Sequence, residues 1–440
     1  MSKVRAVILG CGKRAEKYCD AAYNTLGEDF EIVALVNRSN MRLEYMCKKY
    51  DLPESICYHS YLDVVNLGKI GDIVINSTMD KFHVETTIPF LEQGYDVLLE
   101  KPVSTNMDEI IEVKKVAERT GRHLIIGHVL RYTAGCRAVK DVIDAGTIGK
   151  IINIETSERI GLDHSSVSFI RGDNNKESQR GSGLLLVKCC HDMDLGCWWN
   201  NKTVPVKATS IGGRHFLTLD NAPEGAGERC MVDCPHNSTC KYSAENMYIK
   251  HNDFPWIPFR CTGKDIADLT EEEKIESLKT TNPHGVCAYR SDSDLVDHQT
   301  VTIEFANGST FTHFVTQGIV RAGRNLYIQG TDGEIEGFMD EGRFVVRTFD
   351  YETKNYVEKE YDVSALLGED GGHFGGDQGI MDEFLTLIKG GTPSVSCTPI
   401  SDSIYGHLCV FAAEKSRLSG GIPYVISYDN GDITIKKIGE

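Results

Sequence analysis

The stretch LLLVKCCHDMDL, residues 184 to 195, sets a lysine, two cysteines, a histidine and two aspartates in an apolar run. Positions i, i+3, i+4 and i+7 of a helix share a face, so Lys188, His191, Asp192 and Leu195 would point one way. Cys189 and Cys190 would point elsewhere, as small core residues. A histidine with an ordinary pKa of about 6.5 suits general acid or base work at neutral pH. An ammonium beside it can polarise the oxygen that gains or loses the proton. A buried helix whose histidine is satisfied by a neighbour fits the same residues, so the surrounding chain has to decide.

The first third supplies a frame. KVRAVILGCGKRAEKYCDAAYNTL reads as a buried strand, a glycine turn and a helix from about Lys13, the pattern G-x-G-x-x-A. Gly10 serves the tight turn, Gly12 lets the backbone approach a pyrophosphate, and Ala15 allows close packing of helix on strand; Lys13 and Arg14 open the helix at the phosphate end. A second strand, FEIVALVN, ends at Asn37 about 20 residues on, where an acidic residue would hold the ribose 2′-hydroxyl. Asn37 removes the repulsion toward a 2′-phosphate and Arg38 offers donors to it, so NAD and NADP both stay open. The strands DIVINS, DVLLEK and HLIIGH then alternate with helical stretches at 83 to 93 and 106 to 120, the rhythm of a doubly wound parallel sheet. Functional groups gather at the strand ends: Ser77 and Thr78 with His83 just beyond, Glu100 and Lys101 before Pro102, and His128, Arg131 and Tyr132. The proline is expected to hold Lys101 extended.

Totals restrict the remaining choices. A chain of 440 residues is longer than one core usually serves, and a formal net charge of −17 with no basic cluster argues against nucleic acid and anionic membrane partners. Apolar runs fall far short of the roughly 20 residues that span a bilayer. The opening MSKVRAVILG reads as a strand rather than a secretory leader, so a cytoplasmic, reducing setting is expected for the fifteen cysteines.

G-x-G-x-x-A, then HVETTIPFLEQGYDVLLEKP, then GHVLRY, then a glycine-led helix with a histidine together resemble the glucose-fructose oxidoreductase, inositol dehydrogenase and rhizopine catabolism family over most of the chain. The resemblance implies a Rossmann domain at 1–127 and, at 128–440, an α+β domain with a large open, mostly antiparallel sheet through which copies would associate. HQTVTIEFANGSTFTHFVTQG reads as a hairpin, RNLYIQGTDGEIEGFMDEGRFVVRTFD as further strands, and PISDSIYGHLCVFAAEKSRLSGGIP as a helix capped by Ser401 or Asp402. The implied activity is NAD(P)-dependent hydride transfer at a secondary hydroxyl of a sugar, cyclitol or glycoside, with His191 as acid/base beside Lys101. The alternative is a glycosidase that oxidises its sugar transiently with tightly bound NAD, and a non-catalytic sugar sensor is a third option. Better-known members carry an aspartate where this chain has Val187, and Lys188 could stand in as a cation. Substrate contacts are expected from His128, Arg131, Tyr132, Asp192, His298 and His373, the last in the glycine-rich loop GGHFGGDQG.

Cys230, Cys234 and Cys240 fall in what reads as an insertion at about 220–290, with Cys261 and Cys287 beyond. Close thiols in a reducing compartment suggest a structural zinc ion, with an iron-sulfur cluster or unrelated buried thiols as the other readings. Long members of the resembled family point to Cys287 as the fourth ligand.

Overall fold

A computed structural model describes residues 3–172, 175–251, 269–367, 373–429 and 431–440. Six strands, β1 (Val4–Leu9), β2 (Phe30–Val36), β3 (Cys57–Tyr58), β4 (Ile73–Asn76), β5 (Asp96–Leu99) and β6 (Leu124–Ile126), form a parallel sheet in the order β3-β2-β1-β4-β5-β6. Their near-continuous apolar composition follows from coverage on both faces. Strand order reverses between β1 and β4, which opens a crevice at their carboxyl ends. Helix α1 (Lys13–Leu26) leaves that crevice, and helices His83–Glu92 and Met107–Thr120 match the stretches predicted at 83 to 93 and 106 to 120.

The second sheet has ten strands: β7 (Ile151–Gly161), β8 (Pro205–Gly213), β9 (His298–Phe305), β10 (Thr310–Ile319), β11 (Gly323–Gly330), β12 (Gly333–Phe338), β13 (Arg343–Asp350), β14 (Asn355–Asp362), β15 (Tyr424–Asp429) and β16 (Asp432–Lys437). Neighbours run antiparallel except β7 and β10. Alternation sorts each strand: Gln299, Val301, Ile303 and Phe305 of β9 are buried, while His298, Thr300 and Thr302 take the other face. Helices Cys190–Trp199 and Ile400–Leu418 lie on the buried face, so closely that a Cβ on Gly196 would come 2.4 Å from the Phe311 ring.

Three details add to or change the sequence reading. Helix Ile400–Leu418 is preceded by Pro399 at its N-cap, and the Asp402 carboxylate is taken by Arg131 instead of capping. The Lys101–Pro102 peptide is cis. The first core is also not built from the first 127 residues alone, because Ile380, Met381 and Phe384 of helix Gly376–Ile388 pack into it against α1, and Ile126 N–H donates to Thr398 O at 2.9 Å. Among the described residues no helix is long and apolar enough to cross a membrane.

Candidate active site

Gly10 sits at φ +83°, and a Cβ there would lie 2.6 Å from the Ser77 carbonyl oxygen. Only glycine fits that approach. The Ser77 hydroxyl returns a hydrogen bond to Gly10 O at 2.9 Å, joining the ends of β1 and β4. At Gly12 a Cβ would meet nothing within 4 Å, and no side chain caps the start of α1 there. These residues fit a dinucleotide pyrophosphate, which takes free N–H groups and the positive end of a helix. Asn37 closes β2 with its N–H on Tyr58 O, and exposed Arg38 lies over the Phe82 ring at 5.8 Å. Thr78 binds Asn76 Oδ1 at 2.8 Å through its hydroxyl, and both ring nitrogens of His83 face carbonyl oxygens, Thr78 O at 3.0 Å and Pro102 O at 2.7 Å. His83 therefore ties the loop after β4 to the one after β5. Lys13 is exposed and pairs with Glu16 at 2.9 Å.

Arg14 turns inward. Its guanidinium pairs with Glu100, donates to Tyr18 Oη at 2.7 Å and Asp377 Oδ1 at 2.7 Å, and reaches His373 Nδ1 at 3.3 Å. Burial would raise the Glu100 carboxyl, but the Arg14 and Lys101 charges hold it below the usual range. Glu100 also accepts the Lys101 N–H at 2.8 Å, which fixes the backbone from which Lys101 projects.

The stretch 184 to 195 is two helices, Leu184–Val187 and Cys190–Trp199, with Lys188 and Cys189 between them. The break has a chemical reason: the Lys101 ammonium donates to Val187 O at 2.9 Å, taking a carbonyl that a continuous helix would use internally. Lys101 and His191 thus meet beyond the end of β5. His191 is buried with Nδ1 unpartnered among the described residues, and its ring is 5.9 Å from His373 and 5.6 Å from His128. Burial, and then the Lys101 charge, push its pKa well below the ordinary histidine value.

Lys188 does not share a helical face with His191; its ammonium is 3.3 Å from Glu158 of β7. Glu158 also pairs with Arg324 of β11 at 2.5 Å, and Arg324 Nε donates to Asp192 at 2.9 Å. Asp192 is thereby committed to a buried ion cluster behind the site. Glu158 and Arg324 escaped the sequence reading, although a charged residue in the buried register of a strand was the available signal.

The structure separates the other expected contacts. Arg131 is buried on Asp194 at 2.6 and 2.7 Å and on Asp402, and Tyr132 packs inside with its hydroxyl 3.4 Å from Thr398 Oγ1. His128 is fully buried between His191 and His407. His298 lies on the sheet face turned away from helix Cys190–Trp199, 2.8 Å from Asp297. His373 and Phe374 carry φ values of 44° and 47° beside the site; residues 368–372, with the first glycines of that loop, lie outside the described residues.

The thiols expected to hold zinc are not drawn together as a metal group among the described residues. Among the described residues the only three donors gathered within 4.8 Å are Cys189, Asp192 and His313; Cys230, Cys234, Cys240 and Cys287 form no such group, and Cys261 lies outside the described residues. Cys230 instead accepts from Arg171 at 3.5 Å, and Cys240 from the Tyr242 N–H at 3.4 Å. The segment is held by packing of Val167, Ala244, Met247, Tyr248 and Leu278.

A parallel sheet with a glycine turn at its switch point, joined to a lysine and a neutral histidine, defines a nicotinamide-dependent oxidoreductase. Residues 4–128 match the profile of the oxidoreductase family with an NAD-binding Rossmann fold, in agreement with the resemblance to the glucose-fructose oxidoreductase, inositol dehydrogenase and rhizopine catabolism family. It is similar to YteT of Bacillus subtilis, a protein named as an oxidoreductase, with 24% identity over 80% of this chain and 82% of that one. Inositol 2-dehydrogenase of Salmonella typhimurium is 26% identical over 33% of this chain and 43% of its own length. An oxidoreductase from Agrobacterium radiobacter, solved with NAD+, L-tartaric acid and magnesium, shares the fold at a TM-score of 0.65 and 14% identity, covering 95% of this chain and 97% of that one.

Proposed function

We propose that this oxidoreductase acts on a secondary hydroxyl or keto group of a sugar, cyclitol or glycoside, with Lys101 and His191 as its catalytic residues. The observation that carries the reading is their meeting at the mouth of the nucleotide crevice, with the His191 imidazole kept neutral by burial and by the Lys101 charge. A neutral imidazole can take the hydroxyl proton, and Lys101 can donate a hydrogen bond to the same oxygen as its charge develops. Bound nicotinamide dinucleotide supplies the hydride exchange. Lys188 acts through Glu158, and so holds the start of helix Cys190–Trp199 rather than standing in for the absent aspartate. The Salmonella relative, named for inositol, supports a polyol substrate.

The test is a panel of sugars, cyclitols and glycosides with added NAD+ or NADP+, followed by nicotinamide absorbance. Stoichiometric accumulation of reduced cofactor with one of them is the expected result. Glycoside cleavage that leaves added cofactor unchanged would replace this reading with the glycosidase one.

A further inference from the structure

Cys47, in helix Asn40–Tyr50, and Cys57, the first residue of β3, hold their sulfur atoms 3.3 Å apart as free thiols. Cys47 is buried, whereas Cys57 is partly exposed at the sheet edge. Both elements flank the ribose end of the crevice. Helix Asn40–Tyr50 starts directly after Ser39, and the residues after Cys57 grip Asn37: Tyr58 O accepts the Asn37 N–H at 3.0 Å, and His59 Nδ1 lies 3.1 Å from Asn37 O. The helix is pinned to α1 by Lys49 on Glu16 and Asp20 and by Tyr50 on Asp20. Movement at Cys57 therefore passes to the ribose loop more easily than movement at Cys47.

We propose that Cys47 and Cys57 form a redox modification site, closed to a disulfide by a peroxide, and that the closed form binds dinucleotide more weakly. The Cys57 sulfur attacks a peroxide oxygen, giving a sulfenic acid and water; the Cys47 sulfur then displaces the hydroxyl, which leaves as a second water with the Cys47 proton. Two thiols and one hydrogen peroxide become one disulfide and two waters, the sulfurs losing two electrons and the peroxide gaining them. A disulfide needs sulfurs about 2.05 Å apart, so the pair must draw together by roughly 1 Å, and β3 with Asn37 follows. Burial and the adjacent Cys47 push the Cys57 thiol up to about 12, which slows its attack on peroxide. The molecule holds its own control: Cys197 and Cys409 lie 3.8 Å apart but are both buried, out of reach of oxidant.

The effect on cofactor rests on the nucleotide reading of the glycine turn, whereas the disulfide does not. The experiment treats the full chain with hydrogen peroxide, alkylates free thiols, and maps peptides by mass spectrometry alongside dinucleotide titration. Expected are a Cys47–Cys57 cross-link without a Cys197–Cys409 one, and a rise on the order of tenfold in dinucleotide KM at unchanged kcat, reversed by dithiothreitol. Cys47→Ser and Cys57→Ser should each abolish the cross-link and the rise. Separate alkylation of Cys47 and Cys57 after peroxide, or a cross-link that leaves KM unchanged, would overturn the proposal. Failure of the reduced protein to bind dinucleotide at all would count against the nucleotide reading instead.

Discussion

Around the glycine turn, charge reaches the site from a strand end and a helix start: Glu100 and Lys101 follow β5, and Arg14 of the first turn of α1 meets them, partly open to the crevice. On the ten-stranded sheet, Glu158 and Arg324 point from within strands into the helical layer, where Asp192 and Lys188 complete a buried ion cluster. Charge at a strand end can retain water and substrate, while charge inside the layer has only its partners. The first half can therefore place reactive groups cheaply, and the second must spend its charges on one another to hold helix Cys190–Trp199. Between the two runs a row of histidines, His373, His191, His128 and His407, with neighbouring ring centroids 5.4 to 5.9 Å apart.

Acid should break the arrangement most strongly, through that row. Burial lowers the pKa values of His128, His191, His407 and also His313 below the unfolded value of about 6.5. The unfolded chain then binds more protons than the folded one below that pH, so stability falls as pH falls, by up to about 1.4 kcal/mol per pH unit for each such group. Urea midpoints at pH 7.5, 6.5 and 5.5 should drop between the last two. A flat series would mean that these rings take up protons in the folded state.

Next in size is Arg324→Met. It leaves Glu158 and Asp192 facing each other with only Lys188 to balance them, and should cost about 3–5 kcal/mol in chemical denaturation. The loss should fall on folding first. Full stability with lost activity would show instead that Arg324 serves substrate.

Legibility in the sequence divides along the same line. G-x-G-x-x-A, the apolar strands and the group at Glu100-Lys101 could be read because turn chemistry and periodicity are local. The helix break at Lys188 could not, since it depends on a lysine 87 positions earlier, Lys101, claiming the Val187 carbonyl. Arg131 and Tyr132 were placed by sequence at a strand end, correctly as to position, but their partners Asp194, Asp402 and Thr398 come from far along the chain. The apolar cluster around Met247 and Tyr248 was hidden for a related reason, since Val167 joins it from outside residues 220–290.

Lys101→Ala sharpens the contrast from the other side. Its ammonium binds a single carbonyl, so stability should change little, whereas turnover should fall by about 10²-fold or more with dinucleotide binding nearly intact. Turnover within a few fold of the parent protein would remove Lys101 from the chemistry.

Asn37→Asp is the smallest change and the one confined to the nucleotide half. Asn37 ends β2 with its backbone held by Tyr58 and its side chain near Ser39 O at 3.5 Å, a contact too long to fix its direction. A carboxylate there can accept from a ribose 2′-hydroxyl and repels a 2′-phosphate, while Arg38 remains available to either cofactor. Relative kcat/KM should therefore move toward NAD by on the order of tenfold, most of it through a higher KM for NADP. Stability should not follow, because the residue is only partly buried and its backbone bonds survive. An unchanged ratio would place the ribose away from the tip of β2, and would leave Arg38 and the loop after Cys57 as the next residues to vary.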